Sequence, residues 1–213
     1  MRVAVLGTGE VGKSLGNAFL ALGHEVRMGA RDAGNEKAVA WAGRAEGHAS
    51  VGTFADAAGF GEIVVLATLG SAVQQVLQPA VAQACAGKLV IDTTNPLDFS
   101  QGSPRLAVGH TDSGGEQVQR LLSSAHVVKA FNTVGNALMF RPSLPGGPPD
   151  MFICGNDEAS KERVTALLVD FGWKTIDVGG IEGSRYLEPM CMVWVMFGLR
   201  TKGWNHAFKL LRK

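Results

Sequence analysis

Apolar and polar positions along the chain follow two rhythms. Short continuous apolar runs (Arg2 to Leu6, Glu62 to Ala67, Lys88 to Asp92 and His126 to Phe131) have the length and composition of strands buried on both faces of a parallel sheet. Weaker strands are expected at Glu25 to Met28, Ser50 to Gly52, Met151 to Cys154 and Lys174 to Val178. Helical composition fills the intervals: Glu10 onward, Glu36 to Ala45, Phe54 to Ala58, Ala72 to Ala86, Glu116 to Ser123, and a helix capped by Gly155-Asn156-Asp157 and running to Phe171. Gly102 to Gly115 reads as turns. Arg141 to Pro149, rich in proline and glycine, reads as an irregular surface loop. The tail from Gly183 to Lys213 reads as helical, with an apolar face of Met190, Cys191, Met192, Trp194, Met196 and Phe197 that is expected to pack on the core rather than on a second subunit.

Strands alternating with helices predict a Rossmann-like α/β fold: a doubly wound, mainly parallel sheet with helices on both faces and C-terminal helices added. The organisation expected is a dinucleotide-binding domain over 1–180 and a helical tail over 181–213 packed on it. Ligands of such sheets bind outside the carboxyl ends of the strands. Those ends carry Gly7 to Gly12, Ala30-Arg31, Ala67-Thr68-Leu69, Thr94-Asn95-Pro96 and Asn132-Thr133, which are therefore expected to share one crevice.

The first of these ends is the most specific. Gly7-Thr8-Gly9-Glu10-Val11-Gly12 follows a strand and opens a helix, the setting that a G-x-G-x-x-G phosphate loop needs. Gly7 permits the turn, Gly9 leaves room for a pyrophosphate and Gly12 lets the helix approach the strand. The phosphates would meet the positive end of the helix beginning near Glu10. An NAD site places an acidic residue at the end of the second strand. This chain has Ala30 followed by Arg31, which suits a ribose bearing a 2′-phosphate and so favours NADP.

Composition narrows the class further. The chain has 213 residues, of which 46% are hydrophobic, enough for one sizeable core. A net charge of +1, with both signs spread along the chain, predicts a small ligand and neither a nucleic acid nor an acidic membrane surface. Three scattered cysteines without a C-x-x-C pair predict reduced core thiols, with no zinc site, in a cytoplasmic protein. The run from Met190 to Leu199 is too short to span a bilayer. His24, His48, His110, His126 and His206 are scattered and form no acid-base constellation, so no catalytic side chain is assigned.

Taken with Asp92-Thr93-Thr94-Asn95-Pro96-Leu97, Val128-Lys129-Ala130-Phe131-Asn132-Thr133 and Cys154-Gly155-Asn156-Asp157, these motifs resemble the coenzyme F420-dependent NADP oxidoreductases. They are also similar to the cytosolic reductase domain of the STEAP-type metalloreductases. The resemblance runs from about residue 2 to about residue 200 with the motifs in order. It implies NADP(H) on the glycine loop, with Thr8 and Arg31 near the 2′-phosphate. It also implies a flat deazaflavin or flavin ring stacked on the nicotinamide near Asn95-Pro96-Leu97 and Asn132 to Asn136. Val134 and Gly135 offer that ring a short, apolar surface. Two departures stand out: Leu69-Gly70 replaces a frequent Val-Pro, and Ala30 replaces a frequent serine or threonine, which removes one hydroxyl donor to the phosphate.

The expected function is hydride transfer between NADP(H) and a deazaflavin or flavin, a small redox acceptor, and a homodimer through the C-terminal helices stays open as the alternative to their packing on the core. Two alternatives remain open at this point. One is a reductase of a small carbonyl or imine, which needs a proton donor for which Lys129 is the candidate. The other is a non-catalytic NADP sensor.

Overall fold

A computed structural model describes residues 1–45 and 47–213. The chain runs β1 (Arg2–Leu6), α1 (Glu10–Ala21), β2 (Glu25–Ala30), α2 (Glu36–Ala42), β3 (Ala49–Thr53), α3 (Phe54–Phe60) and β4 (Ile63–Leu66). It continues with α4 (Val73–Val76), α5 (Pro79–Cys85), β5 (Leu89–Asp92), β6 (Leu97–Asp98), β7 (Arg105–Leu106), α6 (Gly114–Leu121) and β8 (His126–Lys129). The last elements are β9 (Asp150–Gly155), α7 (Glu158–Asp170), β10 (Lys174–Asp177) and α8 (Ser184–Thr201).

Eight strands form one sheet in the order β10-β9-β8-β5-β4-β1-β2-β3. Every pairing is parallel except β8 with β9. This is the doubly wound, mainly parallel architecture that the alternation of elements predicts. Because successive side chains of a strand face opposite ways, each central strand feeds two cores. Val3 and Val5 of β1 join Leu15 and Phe19 of α1 on one side, while Ala4 and Leu6 join Ala57 and Val81 on the other. Burying each such Val or Leu stabilises the fold by about 1.5 to 3 kcal/mol, and β4 and β5 are buried throughout. All three cysteines are free and buried, and burial pushes each thiol up to about 11.

Three local expectations are corrected. The helix expected over Ala72 to Ala86 is two helices, because Pro79 has no N–H to continue a ladder and Gln78 before it is extended (φ −67°, ψ 163°). The segment read as turns, Gly102 to Gly115, contains a short strand, β7, which pairs antiparallel with β6 just before the segment. The tail is helical only to Thr201: Lys202 is left-handed (φ 53°), and the chain beyond it folds back along α8. There Trp204 lies against Gly198, the His206 ring stacks on Trp194 at 4.8 Å, and Phe208 O accepts a bond from Asp150 N. The sulfur-rich face of α8 divides accordingly, with Cys191 and Trp194 buried and Met196 and Phe197 exposed.

Candidate functional site

The chain leaves β1 toward β2 on one side and leaves β4 toward β5 on the other, so the sheet opens between β1 and β4 at their carboxyl ends. A cavity of about 640 Å³ lies there. One end is lined by Gly7 to Val11, Ala30, Arg31, Asn35 and Phe54, and the middle by Ala67 to Ala72 and Val76. The other end is lined by Thr93, Thr94, Asn95, Leu97 and Phe99.

The three glycines of the loop do different work. Gly7 has φ +132°, and a β-carbon on it would stand 2.3 Å from Ala67 O. One on Gly12 would stand 2.2 Å from Gly7 O. One on Gly9 would meet nothing within 4 Å, so the space above Gly9 is open. Gly9 is also the N-cap of α1 and has no side chain to occupy the first-turn amides, which lack partners within the helix. These amides, the helix dipole and the vacant space fit a pyrophosphate. Thr68, on the neighbouring loop, has a buried Oγ1 without a protein hydrogen-bond partner, a donor suited to the same ligand.

Arg31 is exposed at the crevice edge and makes no salt bridge among the described residues. Asp32 beside it is occupied by Gly34 N at 2.8 Å. The guanidinium is therefore available to an anion. Asn35 lines the same end while its Oδ1 accepts from Ala38 N at 3.2 Å. An asparagine before a helix reads from sequence as a cap, but nothing local shows that it reaches the crevice. Phe54, Gly70 to Ala72, Val76, Thr93 and Phe99 were likewise not foreseen, since they arrive from four separate connections.

Of the residues anticipated here, Gly7, Thr8, Gly9, Glu10, Val11, Ala30, Arg31, Ala67, Thr68, Leu69 and Asn95 line the cavity. Gly12, Pro96, Asn132, Thr133, Val134 and Gly135 do not line it. Asn132, Thr133 and Val134 are buried, and Asn132 braces the wall from behind. Its Nδ2 donates to Asn95 Oδ1 at 3.0 Å, and Asn95 Nδ2 donates back to Asn132 O at 2.8 Å. The departure at Gly70 also has a cause: a β-carbon there would stand 2.1 Å from Asn95 O, so the β4 loop closes directly on the wall.

Lys129, the candidate proton donor, lies behind the crevice wall and does not line the cavity. It is fully buried, with Nζ 2.8 Å from Asp92 Oδ2 and 3.1 Å from Glu188 Oε1, and it donates to Thr94 O at 2.8 Å. Burial alone would lower its pKa, but the two carboxylates outweigh that and hold it above the ordinary lysine range. An ammonium enclosed by two carboxylates and the Thr94 carbonyl has no direct path along which to hand a proton to a ligand in the cavity. Among the described residues no cluster of His, Cys, Asp and Glu could hold a metal ion, and no helix is long and apolar enough to cross a membrane.

A glycine turn between β1 and α1, a crevice at the switch point and an exposed arginine after β2 have the layout of a dinucleotide-binding protein of the Rossmann class. Residues 2–96 match the family model described as NADP oxidoreductase, coenzyme F420-dependent. A crystal structure assigned to an F420-dependent NADP-reductase of Arthrobacter sp. FB24 is 40% identical, with both chains covered in full and a TM-score of 0.93. The F420-dependent NADP reductase of Methanothermobacter thermautotrophicus is 28% identical, covering 99% of this chain and 94% of its own. Rat metalloreductase STEAP3 is 26% identical over 89% of this chain and 36% of its own. The chain belongs to the coenzyme F420-dependent NADP oxidoreductase family, and it is an NADP-dependent oxidoreductase.

Proposed function

We propose that this protein transfers a hydride between NADP(H) and the flat ring of a deazaflavin, coenzyme F420, or of a flavin. The observation that carries this reading is the chemistry of the far crevice wall. Leu97 and Phe99, with Leu69 beside them from the middle of the cavity, offer apolar surface, and Thr93, Thr94 and Asn95 offer hydroxyl and amide groups. Leu69 and Phe99 are 76% and 61% exposed, large apolar side chains held in solvent at the cavity mouth, where a planar ring would cover them. Transfer between two stacked rings is chiefly a positioning task and requires no acid at the reacting carbon. The withdrawal of Lys129 into the core weighs against the imine or carbonyl reductase alternative, which needs a proton donor in the cavity.

In this reading Gly7 to Gly12 and the α1 amides hold the pyrophosphate, while Thr8 and Arg31 hold the 2′-phosphate. Ala67, Thr68 and Leu69 shape the middle of the site, and Asn95, steadied by Asn132, borders the nicotinamide. When bound, NADP(H) supplies or accepts the hydride. The protein fixes the distance between the rings and excludes water from between them. Incubating the purified protein with NADPH and, in turn, coenzyme F420, flavin mononucleotide and a small cyclic imine tests the proposal. Loss of reduced-nicotinamide absorbance with F420 is expected. Turnover of the imine with neither ring-bearing acceptor would overturn the reading.

A further inference from the structure

We propose that the buried Asp92–Lys129–Glu188 triad is a positioning device for the crevice wall at Thr94 and Asn95, joining that wall rigidly to the start of α8. The proposal rests on the reading that the reacting end of the ligand lies against this wall.

The three side chains are almost fully buried, at 0%, 0% and 1% exposure. The β5–β8 register sets Asp92 opposite Lys129. From the centre the network grips the wall at Thr94. Lys129 Nζ donates to Thr94 O at 2.8 Å, and Asp92 Oδ1 accepts from Thr94 N at 2.9 Å and from Thr94 Oγ1 at 2.7 Å. Both main-chain polar groups of Thr94 are therefore held by the triad. On the far side, Glu188 accepts from Gly114 N and Gly115 N, each at 2.9 Å, at the start of α6. A second tie runs parallel: Asn132 Nδ2 donates both to Asn95 Oδ1 and to Leu187 O of α8, the latter at 2.9 Å.

Two carboxylates and one ammonium leave the cluster one negative charge, which the α6 amides face. Such a cluster is a poor stabiliser, because apolar groups of the same volume often serve the fold as well or better. What it supplies is one geometry. Ion contacts and directed hydrogen bonds fix Thr94 where a purely apolar core would let the wall slide. Hydride transfer is sensitive to that freedom, since a misplacement of about 1 Å can cost on the order of 100-fold in rate. These residues touch neither ligand, and they act through Thr94 and Asn95.

The test compares the unmodified protein with Glu188→Gln and with the neutral triple variant Asp92→Asn, Lys129→Met, Glu188→Gln. Three readouts are followed. Affinity for 2′,5′-ADP, which occupies only the adenosine and phosphate end, should change less than twofold. Single-turnover hydride transfer from NADPH to F420 should fall at least tenfold in the triple variant, with amide exchange at Thr94 and Asn95 accelerating in step. Glu188→Gln should show a smaller fall in the same direction. A transfer rate within twofold of the unmodified protein in a folded triple variant would overturn the proposal. If that variant does not fold, Glu188→Gln and amide exchange of the unmodified protein decide: exchange at Thr94 as fast as at the exposed Leu69 overturns it. An unmodified protein that transfers hydride to neither F420 nor flavin mononucleotide would overturn the proposed acceptor instead. The triad would then be judged by amide exchange and by whether the variants lose NADP⁺ affinity while keeping that for 2′,5′-ADP.

Discussion

Gly12 packs against Gly7 so closely that a β-carbon on Gly12 would stand 2.2 Å from the Gly7 carbonyl oxygen, a backbone atom that cannot rotate aside. The helix and the glycine turn are locked together at this contact. Gly12→Ala should therefore destabilise the fold by roughly 3 kcal/mol, lowering Tm by about 10 °C, as a thermal melt would show.

Gly9 makes no such contact. Its backbone is extended (φ −77°, ψ −179°), a conformation valine adopts without strain, and the position of its missing β-carbon is open. Gly9→Val should keep an unchanged circular dichroism spectrum and Tm while NADPH binding is lost in calorimetry. Normal binding by the folded variant would show that the open space is not the phosphate site.

Arg31 has no salt-bridge partner among the described residues, so its substitution should act chiefly on ligand. A charge-assisted contact to the 2′-phosphate contributes about 1.5 to 3 kcal/mol, equivalent to roughly 10- to 150-fold in affinity. The unmodified protein should prefer NADPH to NADH by about that factor, and Arg31→Ala should remove most of the preference without changing affinity for NADH. Equal affinities in the unmodified protein would refute the role.

No imidazole or thiol lines the crevice among the described residues, and these are the side chains that ordinarily titrate near neutrality. The single-turnover rate with F420 should accordingly be flat between about pH 6 and 8. Deuterium at nicotinamide C4 should slow it. A bell-shaped profile would require a proton donor that this wall does not provide.

Acid stability should show a separate signature at Asp112, held down to about 2 by its hydrogen bond with Arg120. A carboxylate whose pKa is lower when folded than when unfolded stabilises the fold above its unfolded value, near 3.8, and that contribution is lost as pH falls toward 2. Asp112→Asn should thus lower stability at pH 7 but change little at pH 2. Because the pair is partly exposed, the difference should be below about 1 kcal/mol. Urea melts at the two pH values measure it.

The local features of the site were legible in the chain because they are short-range. A strand, a tight glycine turn and a helix start lie within residues 2 to 12, and Ala30-Arg31 follows a strand whose end the apolar pattern marks. Burial on both faces was equally legible in β4 and β5, whose runs contain no polar alternation before Asp92. The break at Pro79 was written in the sequence too, but the surrounding alanines read as one helix.

Tertiary structure alone decided where Lys129 points and what meets it. Its neighbour Val128 faces one core, so Lys129 faces the other, where Glu188 comes from a helix far along the chain. The same holds for Asn35 and Phe99, which reach the crevice by way of a cap and a hairpin, and for Trp204, which turns back onto Gly198. Periodicity reports which face of an element is apolar. It carries no information about which distant element covers that face, and the enthalpy of a buried ion or a stacked ring depends on that partner and its distance.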